Sequence, residues 1–224
     1  MTQHADLGIA PASIYKVILK QILPIQDAKI LDVPCGSGAF AQHLTIQGAE
    51  SVGMDILHVD KYKPVVVADM NCPFPFADGS FDIVISIEGI EHIHNAFHLL
   101  QECYRILKSG GKLILSTPNI QNIRSRIKFL LRGTLYWFDP YEIMRMGHIN
   151  VVPYFLLEYI LKVSGFKAIS VQANENVFPR LPAPICRLMQ RWLSKSHADD
   201  LKQNSIILLN AANLIVTATK AIVT

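Results

Sequence analysis

The chain has 224 residues, half of them hydrophobic and 17% charged, with a formal net charge of +3. That composition excludes a disordered or collagen-like polymer and is long enough for one domain with a sizeable buried core. So small a charge does not point to a nucleic-acid partner, and none is expected.

Taken in chain order, "PASIYKVILKQIL" (11–23) repeats apolar residues at helical spacing, with Pro11 suited to a first turn. "KILDV" (29–33) reads as a buried strand, and "SGAFAQHLTIQGA" as a helix closed by Gly48. "SVGMDI" (51–56), "PVVVAD" (64–69) and "FDIVISI" (81–87) read as further strands. "HNAFHLLQECYRILKSGG" (94–111) reads as an amphipathic helix stopped by two glycines, followed by a strand, "KLILSTPN" (112–119). "VPYFLLEYILKVSGF" (152–166) is a helix, and "KAISVQAN" (167–174) and "NLIVTATKA" (213–221) are late strands. Strands alternating with helices predict an α/β fold with a mostly parallel sheet covered on both faces. The chain is expected to be a single domain over 1–224, with a core at 25–175 plus a final strand at 211–221. Segments 120–150 and 176–210 fit the alternation poorly and are expected to be insertions that shape a substrate site.

Four cysteines, at 35, 72, 103 and 186, form no CxxC pair, so neither a zinc site nor a thioredoxin-like motif is signalled. "MTQHADLGIAP" lacks a basic region followed by an apolar one, which predicts reduced cysteines in a cytoplasmic protein. The longest uncharged tract, 203–219, is broken by Asn and Thr, so a membrane span is not expected, while peripheral contact stays open.

"ILDVPCGSGAF" (30–40) places Gly36, Gly38 and Ala41 in the pattern G-x-G-x-x-A between a strand and a helix. A dinucleotide-dependent oxidoreductase is therefore one reading, with Asp55 at the next strand end taking ribose hydroxyls. Charge separates it from another. A carboxylate about 4 Å from a pyrophosphate costs on the order of 4 kcal/mol at an effective dielectric of 20. S-adenosyl-L-methionine has no phosphate and carries a sulfonium and an ammonium, so Asp32 at the strand end suits it. Asp69, after the third strand, is placed to accept from an adenine amino group, with Met70 as a flexible apolar contact.

The four blocks "ILDVPCGSGAF", "VGMDI", "ADMNCPFPFADGSFDIVISIEGIEHI" and "RILKSGGKLILSTPN" closely resemble the class I S-adenosylmethionine-dependent methyltransferases of the broad type-11 group. The resemblance covers about 28–120 and implies a Rossmann-like, seven-stranded sheet whose last strand is antiparallel and inserts beside the fifth. It implies that Asp32 and the loop of Pro34, Cys35, Gly36, Ser37 and Gly38 hold the amino-acid end of S-adenosyl-L-methionine. Asp55 and Ile56 would then hold ribose and one adenine face, Asp69 and Met70 the adenine edge, and Ser86 and Ile87 the methyl-bearing side. S-adenosyl-L-homocysteine is the implied product. Pro34 departs from the pattern, which most often has Gly there. A domain that binds the cofactor without turnover remains the third reading.

Methyl transfer to a hydroxyl needs a group that removes its proton. "EGIEHIHN" (88–95) follows the fourth strand and holds Glu88, Glu91, His92 and His94. His92 is the first choice as general base, with Glu91 orienting it, and His148 in "RMGHINVVPYF" is the second choice. If 88–92 is helical, Glu88, Glu91 and His92 share one face and form a candidate divalent-metal cluster, although a metal-free site is favoured. Similar E-x-x-E-H sequences occur in methyltransferases resembling ubiquinone-biosynthesis enzymes. The basic, aromatic-rich stretches 119–142 and 178–197 read either as solvated amphipathic helices or as a lid for a small-molecule, saccharide-linked or lipid-linked acceptor. Nothing in the sequence fixes the oligomeric state.

Overall fold

A computed structural model of the chain describes residues 10–57, 64–177 and 204–222. The described elements in order are α1 (Ala12–Ile22), β1 (Lys29–Asp32), α2 (Ala39–Ile46), β2 (Glu50–Asp55), β3 (Val65–Val67) and β4 (Phe81–Ser86). They continue with a 3-10 turn (Ile90–His92), α3 (Ala96–Ile106), β5 (Leu107–Pro118), α4 (Ile123–Arg132) and α5 (Pro140–Met146). The last are α6 (Tyr154–Val163), β6 (Phe166–Ala173), α7 (Ser205–Asn210) and β7 (Asn213–Lys220).

The strands form one seven-stranded sheet in the order β3-β2-β1-β4-β5-β7-β6. β7 runs antiparallel to both of its neighbours, while β1–β5 pair in parallel. This is the sheet that the resemblance implied, with the last strand inserted beside the fifth. Successive side chains on the strands go to opposite cores. Ile30, Ile83, Ile85, Ile114 and Ile215 meet α1 and α2, whereas Leu31, Val84, Leu113, Leu115 and Val216 meet α3 and α6. Both faces are buried, so the strands read as unbroken apolar runs. On α1, Ile14, Ile18 and Ile22 recur every fourth residue and are fully or almost fully buried. Each buries about 1.5–3 kcal/mol of transfer free energy.

One boundary differs from the sequence expectation. The helix expected over 94–111 ends at Ile106, and β5 begins at Leu107. The double glycine is not a helix stop but part of a bulged strand start, where the pairing of β4 and β5 jumps from Phe81–Leu107 to Ile83–Lys112. An added Cβ at Gly111 would lie 2.8 Å from the Lys108 carbonyl, so the bulge leaves no room for a side chain. The expected insertion at 120–150 contains two capped helices, α4 and α5. Most of the other, including the basic stretch 178–197, lies outside the described residues. Among the described residues no helix is long and apolar enough to cross a membrane.

Part of the motif 69–81 is structural. The Arg105 guanidinium donates to the carbonyls of Phe74 and Phe76 and to the carboxylates of Asp78 and Glu102, and Glu102 accepts from the Phe74 N–H at 2.6 Å. These bonds clamp the "PFPFADG" loop onto α3. Asp78 is largely exposed, so its ion pair is the weak member of the set.

Candidate active site

Strand order reverses at β1, which pairs with β2 on one side and β4 on the other. A crevice therefore opens beyond the carboxyl ends of β1 and β4, where ligands bind in sheets of this kind. A cavity of about 440 Å³ lies there, with Asp32, Asp55 and Glu88 among its walls.

The loop after β1 is held by backbone bonds and close packing. The Cys35 N–H donates to the Met54 carbonyl at 2.9 Å, and the Gly36 N–H donates to Asp55 Oδ2 at 2.8 Å. Asp55 Oδ1 accepts from the Leu57 N–H at 3.1 Å, so this carboxylate ties β2 to the loop while facing the cavity. Gly36 sits at φ +53°, and a Cβ added there would meet nothing within 4 Å. Its requirement is the left-handed backbone and open space above the loop, as a closely approaching ligand needs. Pro34, the departure from the family pattern, has a packing role. A Cβ added at Gly89 would lie 2.5 Å from Pro34 Cδ, so the proline ring fills the side-chain space of the loop after β4.

Asp32 is 2% exposed. Burial, reinforced by Asp55, pushes its carboxyl up to about 8, against a smaller opposing effect of the Ala41 backbone. A cation beside it restores the charged form. Burial also pushes the Cys35 thiol up to about 12, which makes it a packing residue and not a nucleophile.

Of the donor-side residues expected from the sequence, Asp32, Pro34, Cys35, Gly36, Asp55 and Ile87 line the cavity. Gly38 caps α2 from behind the loop and Ser37 precedes it. Ser86 is fully buried beneath Gly89. Ile56 is exposed next to the undescribed residues 58–63. Asp69 accepts from the Asn71 N–H and side-chain amide at 2.8 and 2.9 Å, forming a local turn, and neither it nor Met70 is among the cavity walls.

The other end of the cavity is assembled from distant segments. The Glu91 carbonyl accepts from the Ile149 and Asn150 N–H groups, and Asn150 Nδ2 donates to the Ile90 carbonyl. These bonds lay the loop after α5 against the 3-10 turn and bring His148 to His92, with ring centroids 4.9 Å apart. His148 Nδ1 lies 2.7 Å from the Trp137 carbonyl. A carbonyl only accepts, so Nδ1 carries the proton and Nε2 of the neutral ring keeps its lone pair. Burial and the adjacent His148 lower the His92 pKa, against the Gly147 and Met146 backbone, so His92 is neutral at neutral pH.

Glu91 is fully buried; its Oε2 accepts from Thr117 Oγ1 at 3.3 Å and its Oε1 has no partner. Burial, with Glu88 nearby, holds its carboxyl well above the usual range. Glu88 does not join it. The expected helical face at 88–92 does not form, because the 3-10 turn starts at Ile90 and Glu88 sits at φ +48°. The Glu88 carboxylate instead accepts from Ser116 Oγ at 2.8 Å and Asn213 Nδ2 at 2.7 Å. The cluster whose ligand atoms do converge, within 4.8 Å of one another, is Glu91, His92 and His148. Two imidazoles and a carboxylate suit a divalent transition ion as well as proton transfer.

Sequence reasoning missed several walls: Tyr15 from α1, Asn213 from β7, and Trp137, Arg145 and Met146 from the α4–α5 excursion. Tyr15 and Asn213 carry no local signal, since they reach the cavity only when α1 and β7 pack. The aromatic and basic content of 119–142 was the one legible pointer.

A family model described as a methyltransferase domain matches residues 11–171. The chain belongs to the class I S-adenosylmethionine-dependent methyltransferases. It is 28% identical over 116 residues to a ubiquinone biosynthesis O-methyltransferase of Dechloromonas aromatica, covering 45% of this chain and 49% of the relative. It is 32% identical over 111 residues to a mitochondrial enzyme of the same description from Rattus norvegicus, covering 43% and 32%. The chain thus spans about half the length of the first relative and about a third of the second. Among solved structures, a SAM-dependent methyltransferase from Archaeoglobus fulgidus superposes with a TM-score of 0.63 at 22% identity, over 92% of this chain and 93% of that one. That likeness concerns the fold.

Proposed function

We propose that this protein transfers a methyl group from S-adenosyl-L-methionine to a hydroxyl oxygen of a small-molecule, lipid-linked or saccharide-linked acceptor. The observation that carries this reading is one cavity whose walls include Asp32, Asp55 and Gly36 at one end and His92 and His148 at the other. The donor end fits the cofactor: a buried, charge-starved Asp32, an open glycine approach, and no need for a phosphate partner. Asp32 and the 34–38 loop hold the amino-acid end, Asp55 the ribose, and Ile87 the methyl side, with Ile56, Asp69 and Met70 assigned to adenine. When bound, the cofactor supplies an electrophilic methyl.

This chain's own residues then align and deprotonate. His92 takes up the acceptor's hydroxyl proton. His148, fixed as the Nδ1–H tautomer by Trp137, disfavours a charged His92 at rest and orients the ring. Glu91 holds the turn that carries His92. Arg145, Trp137 and Met146 close the acceptor side and exclude water. Asp32 and Asp55 beside the glycine loop offer a dinucleotide's pyrophosphate no cationic partner. The D. aromatica and R. norvegicus relatives, named as O-methyltransferases, support oxygen as the acceptor atom.

Calorimetry tests the reading. S-adenosyl-L-homocysteine binds and NAD does not; binding of NAD alone, or of neither, sinks it. Screening metabolite pools with methyl-labelled cofactor identifies the acceptor.

A further inference from the structure

The α4–α5 excursion is folded inside out. Both helices are capped at each end: the Asn122 side chain accepts from the Ser125 N–H and the Asp139 side chain from the Glu142 N–H, and Gly133 and Gly147 close the ends in the left-handed conformation. Lys128 bridges Asp139 at 2.8 Å and also donates to the Leu135 carbonyl, while Ser125 Oγ accepts from the Tyr136 N–H. The hairpin is therefore defined by specific contacts. Yet the only residue that α4 buries is the polar Ser125, and α5 buries none. Ile127, Leu130 and Leu131, spaced i, i+3, i+4, face solvent, with Leu130 at 82% and Leu131 at 75% exposure. Met144 on α5 is 89% exposed, beside Tyr141 and Ile143. A helix that packs against its own domain would point this stripe inward.

Charge decides what covers it. Segment 123–147 carries five Lys and Arg against two carboxylates, an excess as large as that of the whole chain. Arg124, Arg126 and Arg132 on α4 are exposed around the apolar stripe, Arg145 borders the cavity on the inner side, and Lys128 is matched by Asp139. A second copy docking by a two-fold axis would set this cation excess against itself. An anionic bilayer satisfies both features at once, with the apolar side chains entering the acyl boundary and the arginines meeting lipid headgroups.

We propose that the outer face of the α4–α5 hairpin is a docking surface for an anionic lipid membrane. Its inner side supplies Trp137, Arg145 and Met146 to the cavity, so a docked molecule presents its acceptor end to the bilayer. That last clause rests on the methyltransferase reading; the docking itself does not.

The test is co-flotation of the full chain with phosphatidylcholine vesicles, with and without phosphatidylglycerol. Binding is expected with phosphatidylglycerol, and about tenfold weaker without it or at high salt. The combined substitutions Leu130→Glu, Leu131→Glu and Met144→Glu, none of which touches the core or the cavity, are expected to weaken flotation at least about tenfold. Circular dichroism and S-adenosyl-L-homocysteine binding stay unchanged in that variant. Arg132→Glu gives a smaller loss that salt abolishes. No flotation by the unmodified chain overturns the proposal. So does flotation that survives the triple substitution, or self-association that the triple substitution abolishes without any vesicle binding. Calorimetry with S-adenosyl-L-homocysteine fails separately if the methyltransferase reading is the one at fault.

Discussion

At the β1 end of the cavity, Asp32, Pro34, Cys35 and Gly36 come from one run of sequence and are braced by Asp55 at the end of the neighbouring strand. At the β4 end, Glu91 and His92 meet His148 from the loop after α5, and the Trp137 carbonyl sets the His148 tautomer. The first end is a strand–loop–helix unit whose geometry is local. The second exists only because backbone bonds from Ile149 and Asn150 to Glu91 dock one loop on another. A local unit is shaped by backbone sterics within a few residues, whereas a docked unit depends on contacts between distant segments. The family match over residues 11–171 spans both ends, so it does not by itself separate them.

The comparison predicts separable failures. The largest is expected at the acceptor end, where His92→Ala lowers turnover by about 1,000-fold while S-adenosyl-L-homocysteine affinity stays the same. Weakened cofactor binding in that variant would show that the two ends are not independent. His148→Ala is expected to fall between the two, with a shifted pH–rate profile, because it removes the neighbour that disfavours a charged His92. At the donor end, Asp32→Asn should weaken S-adenosyl-L-homocysteine binding by about 100-fold in calorimetry without unfolding the chain.

The pH dependence of the donor end follows from the same carboxyl. Asp32 is raised from 3.8 to about 8 in the folded protein, and a cationic ligand needs it ionised. Affinity should therefore rise about tenfold per pH unit up to about pH 8 and then level off. The sign for stability is opposite. Between pH 3.8 and about 8 the folded chain holds a proton that the unfolded chain has released. The stability it contributes is full below 3.8 and is lost as pH rises through about 8, so thermal scans of the ligand-free protein should show a falling midpoint over that window. An Asp32→Asn background removes that slope, or the assignment is wrong.

Two smaller effects sharpen the boundary between the ends. Gly89→Ala would set a Cβ 2.5 Å from Pro34 Cδ and 2.9 Å from Ser86 Oγ, where the β1 and β4 loops meet. A loss of about 1–3 kcal/mol in denaturant unfolding is expected, which Pro34→Gly should partly restore. Chelation is expected to leave turnover unchanged. A loss that a divalent ion restores would reassign Glu91, His92 and His148 from proton transfer to metal ligation.

The sequence by itself determined the alternation of strands and helices, the two-sided burial of the sheet and the donor loop. Each depends on periodicity or on turn chemistry within a few residues, so each is written locally. Asp32 also argued for a cationic ligand, because a carboxylate at a phosphate loop is electrostatically costly, and the fold sets it in the cavity wall. Only the tertiary structure decided the rest. Glu88 looked like a partner for Glu91 and His92 by spacing, but it sits at a positive φ and pairs with Ser116 on the adjacent β5 and Asn213 on β7, one strand further. Pro34 looked like a departure from the family pattern and proved to be matched by Gly89, a residue on another loop. The double glycine at 110–111 read as a helix stop, yet pairing with β4 drew it into a strand. In all three cases the deciding contact is made between residues far apart in the chain, and no local pattern encodes which of them will meet.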